Sequence, residues 1–246
     1  MNLIIGRKPV LEALNSGEDL QQVFILYGLQ GSIITTIRAS AKKKGIKCSE
    51  VPASKFNTLS TYSNSQGVVA LRGENKYFSL DDIILSAKKS LFPIILILDS
   101  IQDTHNLGAI LRSAECAGVD GILMTKHNSA PLNDTVSKTS AGAISHLKIS
   151  TVNNLAVSIK RLKENGFWVA GSSLENSKIY NTVDYRIPLA LIVGNEEKGI
   201  RKLTADSCDF LIHIPMLGKI QSLNVSVAAG ILLFEILRQR IPANSK

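Results

Sequence analysis

The chain has 246 residues, 45% of them hydrophobic, and carries 28 Lys and Arg against 20 Asp and Glu, for a net charge of +8 and a pI near 9.4. That is enough apolar material for a folded core in one large domain or two smaller ones, and the basic excess suits a polyanionic partner. Its longest apolar run, Val225 to Leu237, is shorter than the about 20 residues of a membrane span, which argues against a membrane-embedded function.

In chain order, the first third reads as a small α/β unit. Val23 to Tyr27 and Val68 to Leu71 are apolar strand candidates, and Ile33 to Lys44 has helical periodicity. Gly45 then stops the helix before a short strand over Ile46 to Val51. Residues 1 to 72 hold nine basic against four acidic residues, whereas 93 to 246 hold sixteen against thirteen. The basic character is therefore concentrated at the N-terminal end, where Arg38, Lys42, Lys43 and Lys44 offer charge for phosphates. A solvated helix end, where Lys also suits the helix dipole, is the plainer explanation of the same cluster.

Residues 73 to 92 are more polar and balanced in charge, so a domain boundary is expected there, with a helix between Leu80 and Lys89. The spacing predicts a first domain over 1–75, a linker over 76–92 and a second domain over 93–246. From Pro93 onward, Ile94 to Leu98, Ile122 to Met124, Trp168 to Ala170, Leu189 to Val193 and Phe210 to Ile214 are short apolar runs separated by helical stretches. This pattern predicts a mostly parallel sheet covered on both faces.

Ligands of open α/β sheets bind beyond the carboxyl ends of the strands, which directs attention to the segment after each run. Those segments are Asp99 to Asn106, Gly171-Ser172-Ser173, Gly194 to Gly199 and Pro215 to Asn224. No Gly-x-Gly-x-x-Gly is present, and Gly194 and Gly199 have P-loop spacing but are succeeded by Ile200 and Arg201. Asp99 and His105 could join a serine in a triad on paper, yet the chain has no Gly-x-Ser-x-Gly elbow. Cys48, Cys116 and Cys208 are odd in number and scattered, without zinc-ligand spacing. With no secretory pattern in Met1 to Arg7, a reduced, cytoplasmic protein without a resident metal is expected.

A helix is expected to open at Asn106-Leu107-Gly108, with Leu107, Ile110, Leu111 and Ala114 as its apolar face and Arg112 off that stripe. A guanidinium there suits a phosphate or a hydroxyl, and a surface bridge to Glu115 is the competing reading. The run Ile214 to Asn224 ends in Ser222 and Asn224, either of which can cap the next helix.

Together, Asn106-Leu107-Gly108 with Arg112, Gly194-Asn195-Glu196 with Gly199, and Ile214-Pro215-Met216 with Gly218 and Ser222-Leu223-Asn224-Val225-Ser226-Val227-Ala228 resemble the three ordered motifs of the SpoU family of RNA ribose methyltransferases. The resemblance spans 93 to 246. The first third, with Ile5-Gly6-Arg7 at its start and Gln66-Gly67-Val68 near its end, is similar to the small RNA substrate-binding domain that such enzymes carry. The whole arrangement is similar to that of bacterial members that methylate a guanosine 2'-hydroxyl in large-subunit ribosomal RNA.

The resemblance implies an α/β fold in which the mostly parallel sheet of the catalytic domain carries a trefoil knot, an exception to the usual rule of unknotted chains. It implies S-adenosylmethionine as methyl donor, RNA as partner and a homodimer. Gly194, Ile214, Met216 and Leu223 are then the cofactor-binding positions, and Asn106, Arg112, Glu196, Ser222 and Asn224 those for acceptor and catalysis. Arg7 joins Arg38 and Lys42 to Lys44 as an RNA-binding candidate. Two departures stand out: Thr104 occupies a position where Pro is frequent, leaving that loop less rigid, and Glu197 one where Gly is frequent. Transfer RNA as acceptor, or a non-catalytic RNA-binding role in ribosome assembly, are the alternatives.

Overall fold

The computed structural model describes residues 3–16, 20–60, 62–73, 77–195, 198–219 and 222–241. Two compact units share the chain, Met1–Lys76 and Tyr77–Lys246.

The first unit runs β1 (Leu3–Ile5), α1 (Arg7–Ser16), β2 (Leu20–Leu26), α2 (Ser32–Lys43), β3 (Lys47–Val51), α3 (Ala53–Leu59), α4 (Tyr62–Ser65) and β4 (Val68–Arg72). Its four strands lie in the order β1-β4-β2-β3, with β2 and β3 parallel and β4 antiparallel to both its neighbours. Alternation sends Val23 and Ile25 to the face covered by α1 and α2, where Val10, Leu14, Ile34 and Ile37 are buried. Val69 of the central strand β4 points the other way, onto Phe56 and Val51. Gly45, at φ +69, ends α2 by taking the left-handed turn that a side chain disfavours.

The second unit runs α5 (Leu80–Ala87), β5 (Ile94–Asp99), α6 (Thr104–Cys116), β6 (Gly121–Thr125), α7 (Asp134–Thr139), β7 (Ile149–Val152), α8 (Leu155–Glu164), β8 (Trp168–Ser172), β9 (Lys178–Ile179), β10 (Leu189–Gly194), α9 (Lys202–Asp206), β11 (Phe210–His213) and α10 (Val225–Arg240). All seven strands are parallel, in the order β7-β6-β5-β10-β8-β11-β9. The central strands, Ile-Ile-Leu-Ile-Leu-Asp and Leu-Ala-Leu-Ile-Val-Gly, are buried along their whole length. Leu96, Leu98, Leu191 and Val193 meet α6 and α10 on one face, while Ile95, Ile97, Ala190 and Ile192 meet α5 and α8 on the other.

The segment 77–92, expected as linker, packs as part of the second unit. Ser79 and Asp82 form a reciprocal capping box that starts α5. Ile83, Ile84 and Ala87 then seal the β5 and β6 side of the sheet, and Ile83 fills the space that a side chain at Gly121 would need, its Cγ2 only 2.3 Å from where that Cβ would stand. Two edge strands, β7 and β9, lie where none was expected.

Helix α10 is pinned at its far end. Arg240 donates to the carbonyls of Tyr185, Phe92 and Ile187 at 3.0, 2.8 and 2.9 Å. Burial lowers its pKa to about 10, with Asp120 pulling the other way, which leaves the guanidinium charged at neutral pH. Gln239 closes a second pair, donating to the Val183 carbonyl and accepting from the Tyr185 amide.

Candidate active site

The carboxyl ends of β5, β10 and β11 and the first turns of α6 and α10 carry the motif residues. Asp103 caps α6, its carboxylate accepting from the Asn106 amide at 2.7 Å, so the helix starts at Thr104, two residues before the expected opening. Thr104 is the first helical residue, where proline is favoured because its missing N–H would have no partner there in any case. The Asp103 cap therefore fixes the entry to this helix without a proline.

Asn224 caps α10 in the same manner. Its Oδ1 accepts from the Ser226 amide at 2.9 Å and from the Ser226 hydroxyl at 2.6 Å, and its Nδ2 donates to Asn106 Oδ1 at 2.9 Å. One side-chain amide thus satisfies its own helix and ties the start of α10 to the start of α6. The two helices pack together along their length, and Gly108 lets α6 close on α7, because a Cβ there would stand 2.6 Å from Thr139.

Arg112 is exposed on α6, and no hydrogen bond or ion pair engages its guanidinium among the described residues. The competing bridge to Glu115 is therefore not formed. Its side chain faces water from the third turn of α6.

The second motif closes on itself. Asn195 and Gly199 exchange backbone hydrogen bonds of 3.0 and 2.9 Å, and Gly199 adopts φ +65. A Cβ on Gly194 would lie 2.2 to 2.3 Å from the backbone of Gly199 and Ile200, so only glycine lets the loop fold back over the strand end. Asn195 also donates from Nδ2 to the Ser100 carbonyl at 3.2 Å, joining this loop to the end of β5. Glu196 and Glu197 lie outside the described residues, as do Ile220 and Gln221.

Asp99 carries more of this arrangement than its sequence position announces. Its side chain is fully buried, forms a 2.8 Å ion pair with Arg201 Nε, and accepts from the Arg201 amide and the Thr204 hydroxyl at 3.2 and 2.9 Å. The signal available in the sequence is an aspartate ending an otherwise wholly apolar strand, since a buried carboxylate needs donors around it.

The third motif leaves β11 after His213, whose Nδ1 meets the Ser177 hydroxyl at 2.9 Å. Ile214, Met216 and Leu223 are half-buried in a stretch without regular structure, whereas Ser222 is exposed. Between β11 and α10 the chain returns past β8 towards β10 and α6, so this stretch crosses the carboxyl edge of the sheet. It ends where Asn224 meets Asn106, and an irregular stretch at the carboxyl ends of the strands suits a ligand read through main-chain donors and acceptors.

In the first unit, Lys42, Lys43 and Lys44 are exposed at the end of α2. Arg38 is engaged by Glu50 at 2.5 Å, and Arg7 donates from Nε to the Gln66 carbonyl at 2.9 Å, so these two are partly committed to their own fold.

Residues 93–234 match the SpoU rRNA methylase family, and residues 3–78 match the substrate-binding domain of RNA 2'-O ribose methyltransferases. The chain belongs to the SpoU methylase family. A TrmH family tRNA/rRNA methyltransferase, as it is named, of Staphylococcus haemolyticus is 41% identical to this SpoU methylase over 97% of this chain and 96% of its own. The AdoMet-bound rRNA methyltransferase of Sinorhizobium meliloti has a similar structure, with a TM-score of 0.74 and 27% identity over 98% of this chain and 88% of that one. The TrmH/SpoU tRNA modifying enzyme of A. aeolicus matches this SpoU methylase at 32% identity and a TM-score of 0.57, over 65% of this chain and 82% of its own. Family membership makes the protein an RNA methyltransferase.

Proposed function

We propose that this enzyme transfers a methyl group from S-adenosylmethionine to a ribose 2'-hydroxyl of RNA, with a guanosine of large-subunit ribosomal RNA as the acceptor. The observation that carries this reading is the hydrogen bond from Asn224 to Asn106, which joins the first and third motifs, while the Gly194 loop closes at the end of β10, the strand next to β5. The cofactor fits the residues present. Gly194 lets the second-motif loop fold tightly over the end of β10, and Ile214, Met216 and Leu223 lie half-buried in the irregular stretch before α10. When bound, the sulfonium supplies an electrophilic methyl carbon, and its displacement by the ribose oxygen leaves a neutral thioether.

The protein's own part is positioning and electrostatics. Alignment of the reacting groups supplies roughly 7 to 11 kcal/mol of a barrier. Arg112, charged and without an internal partner among the described residues, orients the 2'-hydroxyl and stabilises the negative charge that develops on its oxygen. A guanidinium is already protonated and has no acceptor site, so it cannot be the base, and the hydroxyl proton passes to an acceptor on the RNA, such as the adjacent phosphate, or to solvent. Asn106, Ser222 and Asn224 hold the acceptor nucleotide, with Glu196 assigned to keep those partners in place.

The reading includes the family's trefoil knot, formed by the stretch crossing the carboxyl edge, and a homodimer in a cytoplasmic setting. Val227 and Phe234 are 49% and 48% exposed on α10, one helical face apart from the buried Val225, Ala229 and Ile236, and a second copy would cover them. Phe234→Asp should yield monomers in sedimentation; an unchanged dimer would place the interface elsewhere.

Ribosomal RNA is favoured because the rRNA methyltransferase of S. meliloti matches nearly the whole chain, N-terminal unit included. Transfer RNA is the second reading, supported by the higher identity with the A. aeolicus tRNA enzyme over the shorter span. Incubation with methyl-labelled S-adenosylmethionine and either ribosomal or transfer RNA distinguishes them. Label on transfer RNA alone refutes the ribosomal assignment, and label on neither favours a binding protein without turnover.

A further inference from the structure

We propose that Arg201 contacts the acceptor RNA through a backbone phosphate, aimed by the buried carboxylate of Asp99. Asp99 is 0% exposed, and its assigned partners are Ser100, next to it at the end of β5, and Arg201 and Thr204, at the start of α9 and within it. Its Oδ1 meets Arg201 Nε at 2.8 Å and accepts from the Ser100 hydroxyl at 3.1 Å. Its Oδ2 accepts from the Arg201 amide at 3.2 Å and the Thr204 hydroxyl at 2.9 Å. Thr204 is itself 4% exposed, so this carboxylate cannot turn away to another partner.

Arg201 is therefore held twice, by its backbone and by one edge of its guanidinium. The side chain is still 55% exposed, and its terminal nitrogens have no partner among the described residues. A guanidinium fixed through Nε presents its two terminal nitrogens as a planar fork, the geometry that matches a phosphate bidentately. A half-exposed ion pair adds little to stability by itself, so orientation is the stronger account of the arrangement. The fork stands at the end of the Gly194 to Gly199 loop, and Ser100 links both: its carbonyl accepts from Asn195, and its hydroxyl donates to Asp99. Lysine would not serve, because a single ammonium reaches either the carboxylate or a phosphate.

The inference rests on the RNA methyltransferase reading. It is tested on the full-length protein with Arg201→Gln and Arg201→Lys, measuring binding of ribosomal RNA across salt concentrations, calorimetric binding of S-adenosylmethionine, and thermal unfolding. Expected for Arg201→Gln is about a tenfold weaker RNA affinity, with a salt slope shallower by about 0.7 to 0.9, the value of one phosphate contact. Arg201→Lys should fall between this and wild type, and both variants should retain cofactor affinity and melting temperature. RNA affinity and slope unchanged in Arg201→Gln overturn the inference, as does a loss of RNA binding that comes with equal losses of cofactor binding and stability. Wild-type protein that binds no RNA overturns the enzymatic reading as well, whereas wild-type binding with an indifferent Arg201→Gln overturns this inference alone.

Discussion

Replacing Gly194 by alanine sets a methyl group 2.2 Å from the Gly199 carbonyl carbon and 2.3 Å from the Gly199 oxygen and the Ile200 nitrogen. These are backbone atoms and cannot rotate aside, so the loop must lift from the strand end and lose both Asn195 to Gly199 hydrogen bonds. Overpacking costs about 1 to 3 kcal/mol and each lost hydrogen bond about 1 kcal/mol, roughly 3 to 5 kcal/mol in total. For a unit of this size that corresponds to a fall of roughly 10 °C in melting temperature. Gly199→Ala is the matched control: at φ +65 with nothing within 4 Å of the new Cβ, it carries only left-handed strain, about 1 to 2 kcal/mol. Differential scanning calorimetry measures the stability difference, and titration with S-adenosylmethionine should show at least a tenfold loss of affinity for Gly194→Ala and a smaller one for Gly199→Ala. Equal effects of the two substitutions, or wild-type cofactor affinity in Gly194→Ala, would refute the close-approach reasoning.

Arg112→Ala should lower the single-turnover methylation rate by orders of magnitude while leaving calorimetric cofactor affinity nearly intact; collapse of cofactor binding instead would remove Arg112 from its assigned role. Reversal of Lys42, Lys43 and Lys44 to Glu should weaken RNA binding and flatten its salt dependence by about 2 to 3 units of slope if all three meet phosphates, and an unchanged slope returns the cluster to ordinary solvated surface. Arg240→Met strips a partner from each of three backbone carbonyls at the end of α10, which should cost about 2 to 4 kcal/mol in denaturant unfolding; a loss below about 1 kcal/mol would mean that water or a neighbour replaces the guanidinium.

The central strands were legible because burial on both faces leaves a continuous apolar run, as in β5 and β10. Strands β7 and β9 were not, because Ile-Ser-Thr-Val and a two-residue edge carry too little apolar pattern to stand out from loop. The stretch 73–92 read as a boundary and linker, whereas the units divide after Lys76 and the apolar face of α5 shows its function only once the sheet it covers is known. The motif residues were found by resemblance, while their couplings were not readable from the chain. Asn106 and Asn224 meet across 118 residues, and Asp99 and Thr204 across 105. Nothing local in either partner announces the other, because each pairing arises from the order of strands in the sheet. Gly194 and Gly199 suggested phosphate-loop spacing, whereas the structure uses them for a backbone approach and a left-handed turn.

The position of the transferred methyl group tests the enzymatic reading most directly. Ribosomal RNA labelled by this protein with methyl-labelled S-adenosylmethionine is subjected to alkaline hydrolysis and digestion to nucleosides. A ribose 2'-O-methyl group blocks the attack that cleaves the adjacent linkage, so the label should remain in an alkali-resistant dinucleotide and then migrate as 2'-O-methylguanosine. Label released in mononucleotides, on a base rather than the ribose, would contradict the account.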